Sequence, residues 1–272
     1  MGAGVFVTLG LGEQIAGPSI LLALALAAVV AIGNGLSSAQ LAANHPLSGG
    51  TYEYGHRWLT PSLGFTAGWM FLCAKAASAA TAALGFAMYL APDYMLPVSL
   101  ATVAGLTVIT LTGMQLSNAV NAVIVSAVLL TLLAFVAVGA PALRTKGELL
   151  QPFFDANRVL ELFEATARVT ESSKVPAAAT LLVSAVIAGL VCIGDVKLTW
   201  SFSAFTVLIY YAVTNLCAIR LKTKERLYPA WISYLGLLSC LSLAFFVEWR
   251  VILTGLALIV FGLVWNAVAA RG

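Results

Sequence analysis

The chemistry open to this sequence lies first in its backbone. Residues 1–12 read MGAGVFVTLGLG, in which Gly2, Gly4, Gly10 and Gly12 interrupt the apolar Val5, Phe6, Val7, Leu9 and Leu11. Each helix-interior glycine costs about 0.8–1.0 kcal/mol relative to alanine in water. A helix break at membrane depth survives only where protein or a wet cavity satisfies the freed amides. Open N–H groups at such a break, at the positive end of the half-helix that follows, can bind a carboxylate. A small-residue face for close helix packing would carry the same glycines, and the stretch alone fits both.

Among the side chains Lys75 stands out, because it falls inside an apolar run that reads LCAKAASAATAALGFA. A charge at mid-span costs about 2.5–3.5 kcal/mol on insertion scales, so this lysine must face the protein interior or water. It can act there as a fixed cation, be satisfied by helix carbonyls and hydroxyls such as Ser78, or snorkel to an interface. His45 and His56 lie in a polar loop without a His-x-x-Glu-His frame, and Cys73, Cys192, Cys217 and Cys240 fall in apolar runs without pairing or metal-ligand spacing. No metal site is expected, and the thiols read as small membrane-buried groups. With no ordered cluster of His, Cys, Asp or Glu to make a catalytic centre, an enzyme is not expected.

The elements that must hold these residues are membrane helices. Hydrophobic residues make up 61% of the 272 positions and charged residues 9%, which excludes a soluble domain with a large core. The formal charge of +3 is no nucleic-acid footprint, since the basic residues sit mainly between apolar runs, where they set membrane orientation. No basic leader region precedes the apolar N-terminus, so no cleavable signal is expected, and the first span reads as cut short on its cytoplasmic side.

Gly17-Pro18 marks a sharp turn into a run that continues to about residue 43, longer than the ~20 residues a bilayer needs. Within it Gly33, Asn34, Gly35, Ser37 and Ser38 form a small, polar stripe suited to close helix approach. Residues 44–61, NHPLSGGTYEYGHRWLTP, are broken by Pro46, Gly49 and Gly50, and their Tyr52, Tyr54 and Trp58 have the character of a membrane interface. Further apolar runs cover 63–91, 97–113, 119–140, 177–194, 198–219, 231–247 and 251–268, which makes about eight full spans and one partial one. Residues 141–175 alternate basic and acidic side chains; inserting 149–170 would cost on the order of 12–17 kcal/mol, so a surface or interfacial helix is expected there. RLKTKER at 220–226, with four basic residues against one acidic, is the clearest cytoplasmic-loop signal in the chain.

Three segments, in this order and separation, resemble the amino acid, polyamine and organocation permease superfamily (APC). They are Gly-Ala-Gly-Val-Phe at 2–6, like its first-helix motif; Gly17-Pro18-Ser19, like its second-helix start; and PLSGGTYEYG at 46–55, like the loop that follows. The C-terminal part, from GDVKLTWSFSAFTVLIYYAVTNLCAIRL at 194–221 through VEWR at 247–250, is similar to the ninth to twelfth spans of bacterial permeases, particularly cyanobacterial-type members. The resemblance implies an all-α, multi-pass membrane helical bundle of the inverted-repeat, five-plus-five type, with broken first and sixth helices holding the substrate. It implies an amino acid or related amine as the small-molecule substrate, carried through the lipid bilayer of the cell membrane by alternating access. A proton or sodium gradient would supply the energy, with no bound cofactor. Carried over by position, Ala3, Gly4 and Val5 would offer backbone amides to the substrate carboxylate, and Phe6 and Thr8 would be their neighbours; Lys75, read from its mid-span place alone, would be a fixed charge in place of a coupling ion.

Residues 153–167 resemble the approach to the sixth family helix, yet 174–189 already resembles the ninth. The sixth to eighth spans are therefore expected to be missing and the bundle incomplete, with a first repeat at 1–140, a charged junction at 141–176 and four spans at 177–272. The competing reading is a truncated, non-transporting membrane protein that self-associates or pairs with a complete permease, or a decayed gene product. Topology bears on this, because five apolar runs, an odd number, separate the loop at 44–62 from the basic loop at 220–230. If every run spans, the two loops face opposite sides, although the intact family has both inside; alternatively the short run 97–113 does not span.

Overall fold

The computed structural model describes residues 12, 17–111, 123, 125–134, 137–138 and 177–269, and among them regular structure is helical throughout. After a short 3-10 turn at Gly17–Ser19 come α1 (Ile20–Asn44), α2 (Thr51–Trp58), α3 (Pro61–Leu90), a second 3-10 turn (Pro92–Tyr94) and α4 (Met95–Leu111). A short apolar helix, α5 (Val125–Ala134), follows. The C-terminal part contains α6 (Ala177–Cys192), α7 (Val196–Ile219), a 3-10 turn at Thr223–Glu225, α8 (Ala230–Phe245) and α9 (Trp249–Ala269).

Local chemistry sets the starts. Thr60 caps α3 by accepting from the Leu63 amide, with Pro61 in the first turn, and Asp195 does the same for α7 through the Leu198 amide. α1 has 25 residues and α7 has 24, about 36 Å at 1.5 Å per residue, which exceeds a hydrocarbon core of ~30 Å. Among the described residues, five stretches are long and apolar enough to cross: Ile20–Asn44, Pro61–Leu90, Pro92–Leu111, Val196–Ile219 and Trp249–Val268. The chain is thus an integral, multi-pass membrane protein, an incomplete helical bundle of the expected all-α class.

α7 is the hub. Inside the bundle lies 78% of its apolar window, against 17% for α9. Its main partner is α3, whose inward seam of Ala67, Met70, Ala74, Ala77, Thr81 and Leu84 is at most 2% exposed and repeats at three- and four-residue steps, the spacing of a left-handed helix pair. Alanines on this seam let α7 come close. The pair is antiparallel: Thr81 meets Thr199 through an Oγ1–Oγ1 bond of 3.2 Å, Ser203 Oγ donates to Ala74 O at 3.1 Å, and Ala67 packs with Val213 and Cys217. α4 and α6 lie alongside, also antiparallel, with Val103 clustered with Val191 and Thr107 Oγ1 donating to Ser184 Oγ at 2.8 Å. α9 is tied to α3 by the Trp69 indole N–H, which donates to Leu258 O at 3.0 Å.

Two sequence expectations change here. The loop expected at 44–61 contains the two-turn α2, whose Tyr54 is buried against Leu41 and Val213. Gly55 of α2 faces Gly64 of α3 with no room for a Cβ, so two glycines set that close crossing. The odd-span topology also fails. Asn44 Nδ2 donates to Glu225 O at 2.7 Å, so the loop after α1 and the basic loop after α7 share one end of the bundle. Among the described residues, α3, α4, α6 and α7 alternate in direction between the two loops. Among the described residues, that shared end carries Arg57, Arg220, Lys222, Lys224 and Arg226 against Glu53 and Glu225, and the other end carries Asp93, Asp195, Lys197, Glu248 and Arg250. The basic excess assigns the shared end to the cytoplasm.

Candidate functional site

Ala3, Gly4, Val5, Phe6 and Thr8, the residues expected to hold a carboxylate, lie outside the described residues, as does the whole junction at 141–176. Lys75 is described, half-buried on α3, with Nζ 4.9 Å from the centroid of the Phe71 ring, within cation–π range. Phe71 in turn lies 5.0 Å from the ring of Tyr210 on α7. The lysine therefore sits beside an aromatic wall, one helical turn from Phe71.

That wall bounds a cavity of about 290 Å³ toward the cytoplasmic end, formed by Gly35, Ser38 and Ala42 of α1, Thr51 of α2, Phe71 and Tyr210. Small residues on α1 make its space; hydroxyls and one backbone amide make its polarity. Thr51 Oγ1 lies 2.7 Å from Thr214 Oγ1, and the Thr51 amide points to the Tyr210 hydroxyl at 3.5 Å. The approach depends on Gly50, at φ 55 and ψ −133, where a Cβ would come within 3.1 Å of the Tyr210 oxygen. A cavity of hydroxyls, amide and aromatic faces suits a small polar solute that carries both a charged and an apolar part.

The stripe expected on α1 as one surface divides into two. Gly35 and Ser38 face the cavity, whereas Asn34 and Ser37 are buried against α7 and α8. Asn215 Nδ2 donates to Asn34 Oδ1 at 2.7 Å, the Cys240 thiol reaches the same oxygen at 3.5 Å, and Ser37 Oγ lies 3.0 Å from Ser233 Oγ. Gln40 Nε2 adds a 3.3 Å bond to Ser233. Interhelical bonds of this kind contribute about 0.6 kcal/mol each in a membrane, up to about 1.7, so the seam fixes which faces of α1, α7 and α8 meet more than it adds stability. Gln40 Oε1 and Asn215 Oδ1 remain buried without a partner.

Sequence reasoning missed Tyr210, Thr214, Asn215 and Ser233, which lay inside apolar runs. A signal was present: Thr199, Ser203, Thr206, Tyr210 and Thr214 recur at steps of three or four along α7, a polar stripe on an otherwise apolar helix. A second, larger cavity of about 610 Å³ lies between α3, α6, α7 and α9. Its walls are mainly apolar, with Asp195, Glu248 and Arg250 at the far end; it offers little with which to orient a polar solute.

Residues 1–157 match the family model described as amino acid permease. Among curated proteins, transporters of unassigned function from Mycobacterium bovis and Mycobacterium tuberculosis are each 44% identical over 136 residues, which is 50% of this chain and 31% of the relative. The branched-chain amino acid permease BcaP of Bacillus subtilis is 26% identical over 164 residues, 52% of this chain and 35% of that protein. The matched part of the chain thus spans about a third of the length of these relatives.

Proposed function

The chain belongs to the amino acid permease family, and we propose that it binds a free amino acid at the break of its first span and moves it across the cell membrane by alternating access. One observation carries the reading: the family match runs from residue 1 to residue 157 and so includes the glycine-rich stretch, the loop motif and α1, α2 and α3, which wall the cytoplasmic cavity together with α7. In this reading Ala3, Gly4 and Val5 present open amides to the carboxylate, where scarce water makes such bonds strong. Phe6 and Thr8 flank the bound molecule. The cavity beneath Tyr210 is its route to the cytoplasm, and Lys75 is a fixed charge beside that route. A proton or sodium gradient drives the cycle without a bound cofactor. The name of the Bacillus relative, a branched-chain amino acid permease, supports an amino acid as cargo.

Equilibrium binding of a mixed pool of labelled amino acids to the purified chain tests the site. Gly4→Leu removes the space in front of the amides and is expected to abolish binding that the unmodified chain shows. Unchanged binding by that variant would remove the site from the first span.

A further inference from the structure

The cytoplasmic end gathers cations from two distant parts of the sequence. Arg220, Lys222 and Lys224, around the turn after α7, are exposed, and so is Arg57 at the end of α2. The end of α1 brings these segments together: Arg57 Nη1 lies 3.1 Å from His45 Nδ1, and the adjacent Asn44 donates to Glu225 O at 2.7 Å. The acid within the loop is already engaged, since the Glu225 carboxylate accepts from the Lys222 backbone amide at 3.0 Å. Arg226 is engaged too, because its guanidinium donates to Ile219 O at 2.9 Å and closes the end of α7. Among the described residues, Arg57, Arg220, Lys222 and Lys224 form no ion pair; the pair present, Arg250 with Glu248, is at the opposite end.

Depth is set by the neighbours. Leu227 is 60% and Trp231 63% exposed, and Tyr52 and Trp58 flank Arg57 on α2. Tryptophan and tyrosine side chains of this kind lie at the headgroup level of a bilayer. Cations at that depth, including Arg57, whose guanidinium lies 5.4 Å from the centroid of the Trp58 ring, face the phosphates of the inner leaflet and not only bulk water. We propose that Arg57, Arg220, Lys222 and Lys224 form a binding surface for anionic phospholipid headgroups of the phosphatidylglycerol class. The surface anchors the α1, α2 and α7 ends to the membrane through charge-assisted bonds to phosphate oxygens. It does not depend on what the protein carries.

The full chain in a neutral detergent is titrated with phosphatidylglycerol, and separately with phosphatidylcholine, while bound lipid is counted by native mass spectrometry. Each cation near an anionic surface contributes about fivefold to binding, so R220Q/K222Q/K224Q is expected to lose phosphatidylglycerol roughly a hundredfold. K222R/K224R is expected to keep it, added salt to weaken it, and phosphatidylcholine to bind weakly to every form. If the triple variant elutes or melts differently, K222Q and K224Q alone, whose backbones keep the turn, carry the test at about fivefold each. Equal phosphatidylglycerol binding by wild type and charge-removed variants, equal binding of the two lipids, or displacement of the lipid by inorganic phosphate at comparable concentration would overturn the proposal.

Discussion

Gly236 is where α8 comes closest to the polar seam, and it offers the most direct test of how the seam holds the helices. A Cβ at this position would stand 2.6 Å from Asn215 Oδ1 and 2.9 Å from Asn215 Cγ and Nδ2. Asn215 cannot simply swing away, because its Nδ2 is held by Asn34 Oδ1 at 2.7 Å and by Tyr211 O at 2.9 Å. Gly236→Ala must therefore strain the α7–α8 contact or break the Asn215 bonds. Overpacking of this kind costs about 1–3 kcal/mol, and the lost interhelical bond adds about 0.6–1.7 kcal/mol, so we expect destabilisation of roughly 2–4 kcal/mol. With Asn215→Ala already present the obstruction is gone. The same alanine then contributes its helix preference over glycine, about 0.8–1.0 kcal/mol as measured in water. Equilibrium unfolding in mixed detergent micelles, run as a double-mutant cycle, should give a coupling of at least about 2 kcal/mol. If Gly236→Ala has the same effect in both backgrounds to within about 0.5 kcal/mol, the additivity expected of independent sites, the packing account of this seam is wrong.

Three further outcomes follow from the geometry. Single cysteines at His56 and Thr223, both exposed at the shared end, should be labelled by an impermeant thiol reagent from one side of the membrane, and the native exposed Cys192 from the other; labelling of positions 56 and 223 from opposite sides would restore the odd-span topology. Gly50→Ala should destabilise the chain by about 1–3 kcal/mol, the range for a side chain forced into a backbone region it rarely adopts, and a thermal melt matching wild type would show that the turn relaxes freely. Lys75→Gln should reduce amino acid uptake about tenfold or more while Lys75→Arg retains most of it, and uptake unaffected by removal of the charge would leave Lys75 with a structural role alone.

The helices were legible because long apolar runs between Pro, Gly and charged clusters have few other ways to fold. Gly17-Pro18, Thr60-Pro61 and Gly194-Asp195 each mark a start that the structure shows. α2 was not legible, since its eight residues are polar and sit between helix breakers; it forms because Tyr54 finds a buried place beside Leu41 and because Gly55 and Gly64 permit contact with α3. Topology was not legible for a related reason. Counting apolar runs treats each as one crossing, whereas direction is decided by which faces fit, here the alanine seam of α3 against the polar stripe of α7. The cavity escaped attention because its chemistry comes from hydroxyls, such as Ser38, Thr51 and Tyr210, that look unremarkable until three helices bring them together. The stripe on α1 was visible as a surface, but the division of labour between Asn34 and Ser38 required knowing what stands on either side.

The most direct test of amino acid transport is uptake into proteoliposomes. The purified, monodisperse chain is reconstituted alone, a mixed pool of labelled amino acids is supplied under an imposed proton or sodium gradient, and Gly4→Leu is run in parallel. Accumulation that collapses with the gradient and is lost in the variant is the predicted result. No uptake by folded, correctly inserted protein under either gradient, or equal uptake by the variant, would contradict the account.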